Sequence, residues 1–335
     1  MIVKKQRPTL QNIADQVGVT KMTVSRYLRD PEKVSKAVGE KIAQAVEELG
    51  YIPNRAPDIL SKAKSYSIGV LLPSLTNQVF AEVLRGIETV IEPQGYQAML
   101  AHYGYSKRTE EKRIETMLSY NVEGIILSES YHTERAKRML KSTGIPVVEM
   151  MDSASPPLQQ AVGFDNIKAS REMTEQLIAK GRKHIVYLAA RMDERTKQKI
   201  TGFEQAMNAA GLTPNVVSTK TASSYTVGSE LTHLAREKYP HMDGIYCTND
   251  DLAIGALFEC QRLGLKVPED ISIAGFHGHD ITSVVNPTLA TVITPREEMG
   301  TIAAEQLLHR ITHPGEKIQN KIIELPTQIY FGESL

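Results

Sequence analysis

The stretch GVTKMTVSRYL, Gly18–Leu28, opens on a glycine and runs into a helical pattern with two unlike faces. Val19, Val24, Tyr27 and Leu28 are spaced to enter a core. That leaves Lys21, Met22, Ser25 and Arg26, with Arg29 just beyond, on the other side. Upstream, TLQNIADQVG sets a cap residue, Thr9, before apolar Leu10, Ile13, Ala14 and Val17 and stops at Gly18. Downstream, VSKAVGEKIAQAVEELG predicts a third helix capped by Ser35. Its inner face carries Val38, Ile42, Ala45, Val46 and Leu49, and Gly50 closes it. The first two helices are separated by only three or four residues around a glycine, the spacing of a helix-turn-helix.

The chain has 335 residues and no net charge, but the charge is unevenly spread. Residues 1–64 hold twelve Lys and Arg against seven Asp and Glu, and the remainder holds 27 against 32. A basic head of this kind suits a polyanion, whereas the larger body need not meet one. No apolar run approaches the roughly 20 residues that span a bilayer. The N-terminus MIVKKQRPTLQ lacks the apolar core of a signal peptide. Cys247 and Cys260 belong to no CxxC pair, which predicts two buried thiols, no disulfide and no structural zinc. The expectation is a cytoplasmic protein.

After Gly50 the segment YIPNRAPDILSKAKSYS reads as a linker, with Pro57 compatible with the first turn of a short helix over about 55–62. From Ser67 the pattern changes. IGVLLP, QAMLA, EGIILS, PVVEM, AVGF, HIVYLAA, DGIYC and ISIAGF are short apolar runs suited to buried parallel strands. Helical stretches such as QVFAEVLRGIETVIEPQG and DLAIGALFECQRLG lie between most of them. Such alternation over about 270 residues is more than one doubly wound sheet holds. It predicts two subdomains facing across a cleft, with ligands beyond the carboxyl ends of the strands.

Enzyme motifs are missing: no GxGxxG after a strand, no GxxxxGK[ST], no HExxH and no GxSxG. HGHD, His277–Asp280, offers two histidines and a carboxylate, one donor short of tetrahedral zinc. It reads better as a polar loop at a strand end, aimed into the cleft. In CTNDDLAIGAL, Asn249 lies where a ligand contact is favoured, while Asp250 reads equally as a helix cap or a contact.

The run from TLQNIADQVG through TVSR and VS to YIPN resembles the DNA-binding head of the lac repressor family. TNDDLAIGAL followed by VPEDISIAGF resembles that family's regulatory core, so the likeness covers nearly the whole chain. LPSLTNQVFAEVLRGIE, LAHYGY, DERT and AGFHGHD are most similar to the gluconate-responsive branch. The implied fold is a small all-α helix-turn-helix head with a hinge helix, joined to a periplasmic-binding-protein-like α/β core of two doubly wound parallel-sheet subdomains. The implied division is a head over 1–52, a hinge helix and linker over 53–66, and a core over 67–335. Within the core, one subdomain takes about 67–164 plus 295–325, the other about 165–294 plus 326–335.

The resemblance also implies roles. Lys21 and Met22 would be the specificity pair and Arg26 a base-contacting residue, with Thr23 on the same DNA-binding helix. Thr20, Ser25 and Asn54 would touch phosphates. Leu60 would wedge between base steps in the minor groove, with Pro57 a departure from many relatives. In the cleft it implies Asn77, Phe80, Asp152, Arg195, Lys199, Asn249, His277 and Arg296. Many sugar-binding relatives have Asp at the His277 position. Its loss, with positive charge from Arg195, Lys199 and Arg296, favours a polyhydroxylated carboxylate over a neutral sugar. For Arg195, pairing on a helix surface is as good a reading. The expected protein is a homodimeric, nucleoid-associated repressor of gluconate uptake and catabolism genes. It would bind double-stranded operator DNA and let go when gluconate or a close derivative fills the cleft. It would need no cofactor and no metal and would not be an enzyme. Alternatives are another effector in the same family, a co-repressor, a sugar-processing enzyme and a solute-binding protein.

Overall fold

A computed structural model describes residues 7–54 and 64–335. The chain divides into two compact units, Met1–Ser65 and Tyr66–Leu335. In the first, α1 is Leu10–Val17, α2 is Lys21–Arg29 and α3 is Lys36–Leu49. Thr9 and Asn12 cap α1 reciprocally, and Gly18 ends it in the left-handed conformation at φ +76°. Ile13, Ala14, Val24, Ile42 and Ala45 are buried together, with Val19, Leu28, Val38, Val46 and Leu49 packed around them. Tyr27 lies over Gly39 so closely that a Cβ there would sit 2.9 Å from the ring. Ser35 stands at the N-cap of α3 but its side chain makes no capping bond, contrary to expectation. Its carbonyl instead receives the Val38 and Gly39 N–H groups at 3.0 and 2.9 Å. The linker segment with Pro57 and Leu60 lies outside the described residues.

The second unit holds two six-stranded sheets. In chain order the first contains β1 (Ser67–Leu72), β2 (Gln97–His102), β3 (Gly124–Leu127), β4 (Val147–Met150), β5 (Gln160–Gly163) and β11 (Ile322–Glu324). The second contains β6 (Ile185–Ala189), β7 (Asn215–Ser218), β8 (Gly244–Cys247), β9 (Ser272–His277), β10 (Ala290–Ile293) and β12 (Gln328–Tyr330). Their orders are β11-β5-β4-β3-β1-β2 and β12-β10-β9-β8-β6-β7. All pairs are parallel except β10 with β12, which closes the edge of the second sheet antiparallel. Ile68, Val70 and Leu72 enter one core and Leu71, with Ile125 and Leu127, the opposite one. Both faces of the sheet are covered, which is why the runs read as continuously apolar.

The helices of this unit are α4 (Gln78–Ile91), α5 (Lys107–Ser119), α6 (Glu134–Thr143), α7 (Asn166–Ala179), α8 (Glu194–Ala209), α9 (Tyr225–Lys238), α10 (Asp250–Arg262) and α11 (Arg296–Thr312). Three chain passages join the sheets: β5 into α7, β10 into α11, and β11 into β12. They run side by side, since β5 pairs with β11, β10 pairs with β12, and Leu325 N–H donates to Gly163 O at 2.7 Å. Among the described residues, no helix is long and apolar enough to cross a membrane.

Helices α4 and α11 cross at glycine. A Cβ on Gly86 would lie 2.1 Å from Glu297 O, and one on Gly300 2.1 Å from Val83 O. No real carbon approaches backbone that closely, so any side chain must drive the helices apart. Gly300→Ala is expected to cost about 1–3 kcal/mol, the range for overpacking a filled core. A urea midpoint equal to the parent's would show that the pair yields freely.

A buried ionic triad sits on the other side of the first sheet. His132 Nδ1 is 3.0 Å from Glu110 Oε1, and its Nε2 is 2.9 Å from Glu149 Oε1. All three side chains are almost wholly shielded from water. Burial opposes a charge on the imidazole, but the two carboxylates override it and raise its pKa to about 9.

Candidate functional site

Two surfaces carry functional chemistry, one on each unit. On the head, Thr20 caps α2, its Oγ1 accepting the Thr23 N–H at 3.2 Å and lying 3.0 Å from Thr23 Oγ1. That pairing fixes the first turn, from which Lys21 and Met22 face solvent, Met22 with 71% of its surface exposed. Arg26 is exposed one turn later, and Ser25 accepts a bond from Arg29 Nη2 at 3.1 Å. Asn54 is exposed. The expected DNA contacts on α2 thus share one helix start, while Leu60 falls outside the described residues. Two cations and an apolar tip at the start of a second helix suit phosphates, base edges and a thymine methyl.

On the core, a cleft opens beyond the carboxyl ends of β1, β6, β8 and β9. The first sheet contributes Asn77, Phe80 and Tyr105, and the second contributes Arg191, Arg195, Lys199 and His277. Asn77 caps α4 through a 3.1 Å bond from the Val79 N–H, and Phe80 is buried behind it. Asn166, also on the cleft, donates to Met151 O at 3.0 Å and leaves its buried Oδ1 without a partner.

Lys199 lies on α8, whose backbone is pinned to α7 by Ser170 Oγ donating to Lys199 O at 2.6 Å. Its ammonium donates to Thr248 O at 3.1 Å, lies 3.2 Å from His277 Nε2, and sits 3.8 Å from the centre of the Phe276 ring. Burial pulls its pKa down to about 7; Arg195 and Arg191 push the same way, against Asp193 and Asp250. His277 is held well below its ordinary range by burial, then by Lys199. The contact therefore has Lys199 donating to a neutral imidazole.

His277 also carries a positive φ of +105°. A non-glycine residue is held there only by its surroundings. Arg296 supplies part of that restraint: its Nη1 donates to His277 O and its Nη2 to Gly278 O at 3.1 Å. The same guanidinium meets Glu82 at 2.8 and 3.0 Å. Asp250 supplies the rest, accepting from His279 N–H at 2.7 Å and Thr291 Oγ1 at 2.6 Å. Arg296 and Asp250 thus build the loop that presents His277 and do not line the cleft.

The other expected residues divide in the same way. Arg195 lines the cleft but spans it, donating to Ser128 O and Glu129 Oε1, both at 3.0 Å. Asp152 lies outside the main cleft, accepting from the Ala154 N–H at 2.9 Å and Gln198 Nε2 at 3.1 Å. Asn249 caps α10 and donates to Ser223 Oγ at 2.8 Å. In HGHD, His279 is buried and 3.7 Å from Asp251, and its ring stacks with His277 at 6.3 Å. Among the described residues, no group of three His, Cys, Asp or Glu side chains is placed to hold a metal.

Sequence reasoning missed Arg191, Tyr105, Asp193 and Glu129. Arg191 lies two residues past the end of β6, so the rule that ligands meet strand carboxyl ends could have found it. Its carbon Cζ lies 4.7 Å from the centre of the Tyr105 ring, and its Nε 3.8 Å from Asp193. Burial would raise the Asp193 carboxyl, but Arg195 and Arg191 hold it below its usual range.

Comparison with known proteins places this arrangement. The model described as bacterial regulatory proteins, lacI family, matches residues 9–54. The model for periplasmic binding proteins and the sugar-binding domain of the LacI family matches residues 65–333. The chain belongs to the LacI family. This regulator is 61% identical over 99% of its length, and 100% of the relative's, to the HTH-type transcriptional regulator GntR of Escherichia coli K12. A LacI-family regulator from Silicibacter pomeroyi matches 98% of the chain and 99% of its own at 33% identity, with a TM-score of 0.90. The transcription regulator GntR from Chromobacterium violaceum matches 80% of the chain and 98% of its own at 34% identity, with a TM-score of 0.77.

Proposed function

We propose that this regulator represses genes for sugar-acid uptake and catabolism, and that gluconate or a close derivative in the cleft releases it from its operator. The observation that carries the effector half is Lys199. Its buried ammonium meets a carbonyl, a neutral imidazole and an aromatic face, and among the described residues no carboxylate accepts a bond from it. Such a group lacks a charge-matched partner, and a bound carboxylate provides one. A neutral sugar does not.

The DNA half rests on the exposed start of α2 and on family membership. One short head covers one half-site, so a homodimer on a two-fold symmetric operator is the reading that fits. Leu60 from each copy would wedge the minor groove between half-sites. The place of action would be the cytoplasm, on the nucleoid.

The ligand must favour the form that binds DNA poorly, or nothing shifts. Fluorescence anisotropy on labelled symmetric and scrambled duplexes tests both halves. The symmetric duplex should bind more tightly, with affinity falling steeply in salt. Gluconate or 6-phosphogluconate should release it, and glucitol should not. Equal binding to both duplexes ends the repressor reading. Release by glucitol but by neither acid ends the sugar-acid reading.

A further inference from the structure

We infer that Arg191 joins Lys199 in gripping the anionic end of the effector and sets the preference for an acid over the matching neutral polyol. This rests on the sugar-acid reading above. The cleft has four basic side chains close to it; two are already paired with carboxylates, and Lys199 is held by neutral partners. Arg195 is bonded to Glu129 and to Ser128 O. Arg296 is bonded to Glu82 and to two loop carbonyls. Lys199 donates to His277 and Thr248.

Arg191 differs. Its Nε is buried and has no hydrogen-bond partner among the described residues, although the side chain lines the cleft. The nearest carboxylate oxygen, Asp193 Oδ2, forms a loose ion pair at 3.8 Å, beyond hydrogen-bond reach, while Oδ1 caps Thr196 N–H at 2.9 Å. A buried donor left unmatched is costly, and a ligand carboxylate or phosphate matches it.

The backbone holds Arg191 in place for that task. Arg191 and Met192 both have positive φ, +66° and +53°. The Arg191 N–H donates to Thr221 O at 3.0 Å. Two consecutive non-glycine residues in that region turn the chain sharply at the end of β6. Tyr105, at φ +59°, comes from the opposite sheet to lie against the guanidinium. The cation–π contact therefore bridges the mouth of the cleft. With Asn166 Oδ1 as a free acceptor, the site offers a donor for the acid group and an acceptor for a hydroxyl.

Calorimetry with gluconate, 6-phosphogluconate and glucitol on the full chain tests this. Arg191→Gln should weaken the acid that the parent binds by at least about thirtyfold, the scale for removing one partner of a buried charged contact, and leave glucitol unchanged. Arg191→Lys should recover part of the loss, because it keeps charge but not the fork. Tyr105→Leu, which keeps the arginine, should weaken the acid several-fold, and it carries the test if Arg191→Gln melts early. If the parent binds an acid and Arg191→Gln binds it equally well, Arg191 is not part of the grip, though the sugar-acid reading survives. The same holds if Arg191→Gln loses acid and glucitol alike. If the parent binds neither acid, the sugar-acid reading falls and the role of Arg191 with it.

Discussion

Replacing His132 with leucine is expected to destabilise the core by about 3–5 kcal/mol, the cost of breaking a buried charged network by removing one partner. The variant leaves the Glu110 and Glu149 carboxylates in a shielded site with the imidazole between them gone. Urea unfolding at fixed pH measures the loss. Its pH dependence identifies the cause. An unfolded histidine titrates near 6.5, and the native His132 is held up to about 9. A raised native pKa stabilises fully below the unfolded value. Between about pH 6.5 and 9 the unfolded chain sheds the proton while the native chain keeps it, and the contribution shrinks. The gap between parent and variant should therefore be widest near pH 6 and narrow steadily toward pH 9. A gap that stays constant over that range would mean His132 acts by packing alone.

Replacing Lys199 with methionine is expected to weaken gluconate by about 2–4 kcal/mol, on the order of 30- to 1000-fold, and to give a repressor that gluconate does not release. The side chain keeps its bulk against Phe276 but loses the ammonium. The parent protein should show a proton linkage as well. With its pKa pulled down to about 7, Lys199 is only partly charged at neutral pH. A bound carboxylate favours the ammonium and raises that pKa. Binding then takes up a proton. Affinity should be flat well below pH 7 and fall as pH rises above it. Calorimetry in buffers of unlike ionisation heat reads the uptake directly, and Lys199→Met should abolish it. An uptake that persists in the variant would move the titrating group elsewhere.

The fold was legible where local chemistry is enough. Caps at Thr9 and Thr20 and stops at Gly18 and Gly50 bound the head helices. Eight apolar runs coincide with strands, because both faces of each sheet are covered. Strands β7, β10, β11 and β12 escaped, being short and, in β11 and β12, exposed on alternate residues at an edge. Family resemblance brought Lys199 and His277 to one spot, where they touch. It could not tell Arg195 and Arg296, whose charges are taken by Glu129 and Glu82, from a cation left for ligand. Those partners lie 66 and 214 residues away in sequence. No local pattern reveals such pairings, nor the turned backbone that sets Arg191 on the cleft.

The three adjacent passages between the sheets bear on how a small molecule can be heard at a distance. Two bodies tied at one point tumble freely, and two ties still permit twisting. Three ties in a row, laced together by the β5–β11 and β10–β12 pairings, block both sliding and twist. Rotation about the line of ties is the motion that such a lacing opposes least, like a book on its spine. A ligand between the covers then spends its differential affinity along one coordinate and dissipates little of it among others.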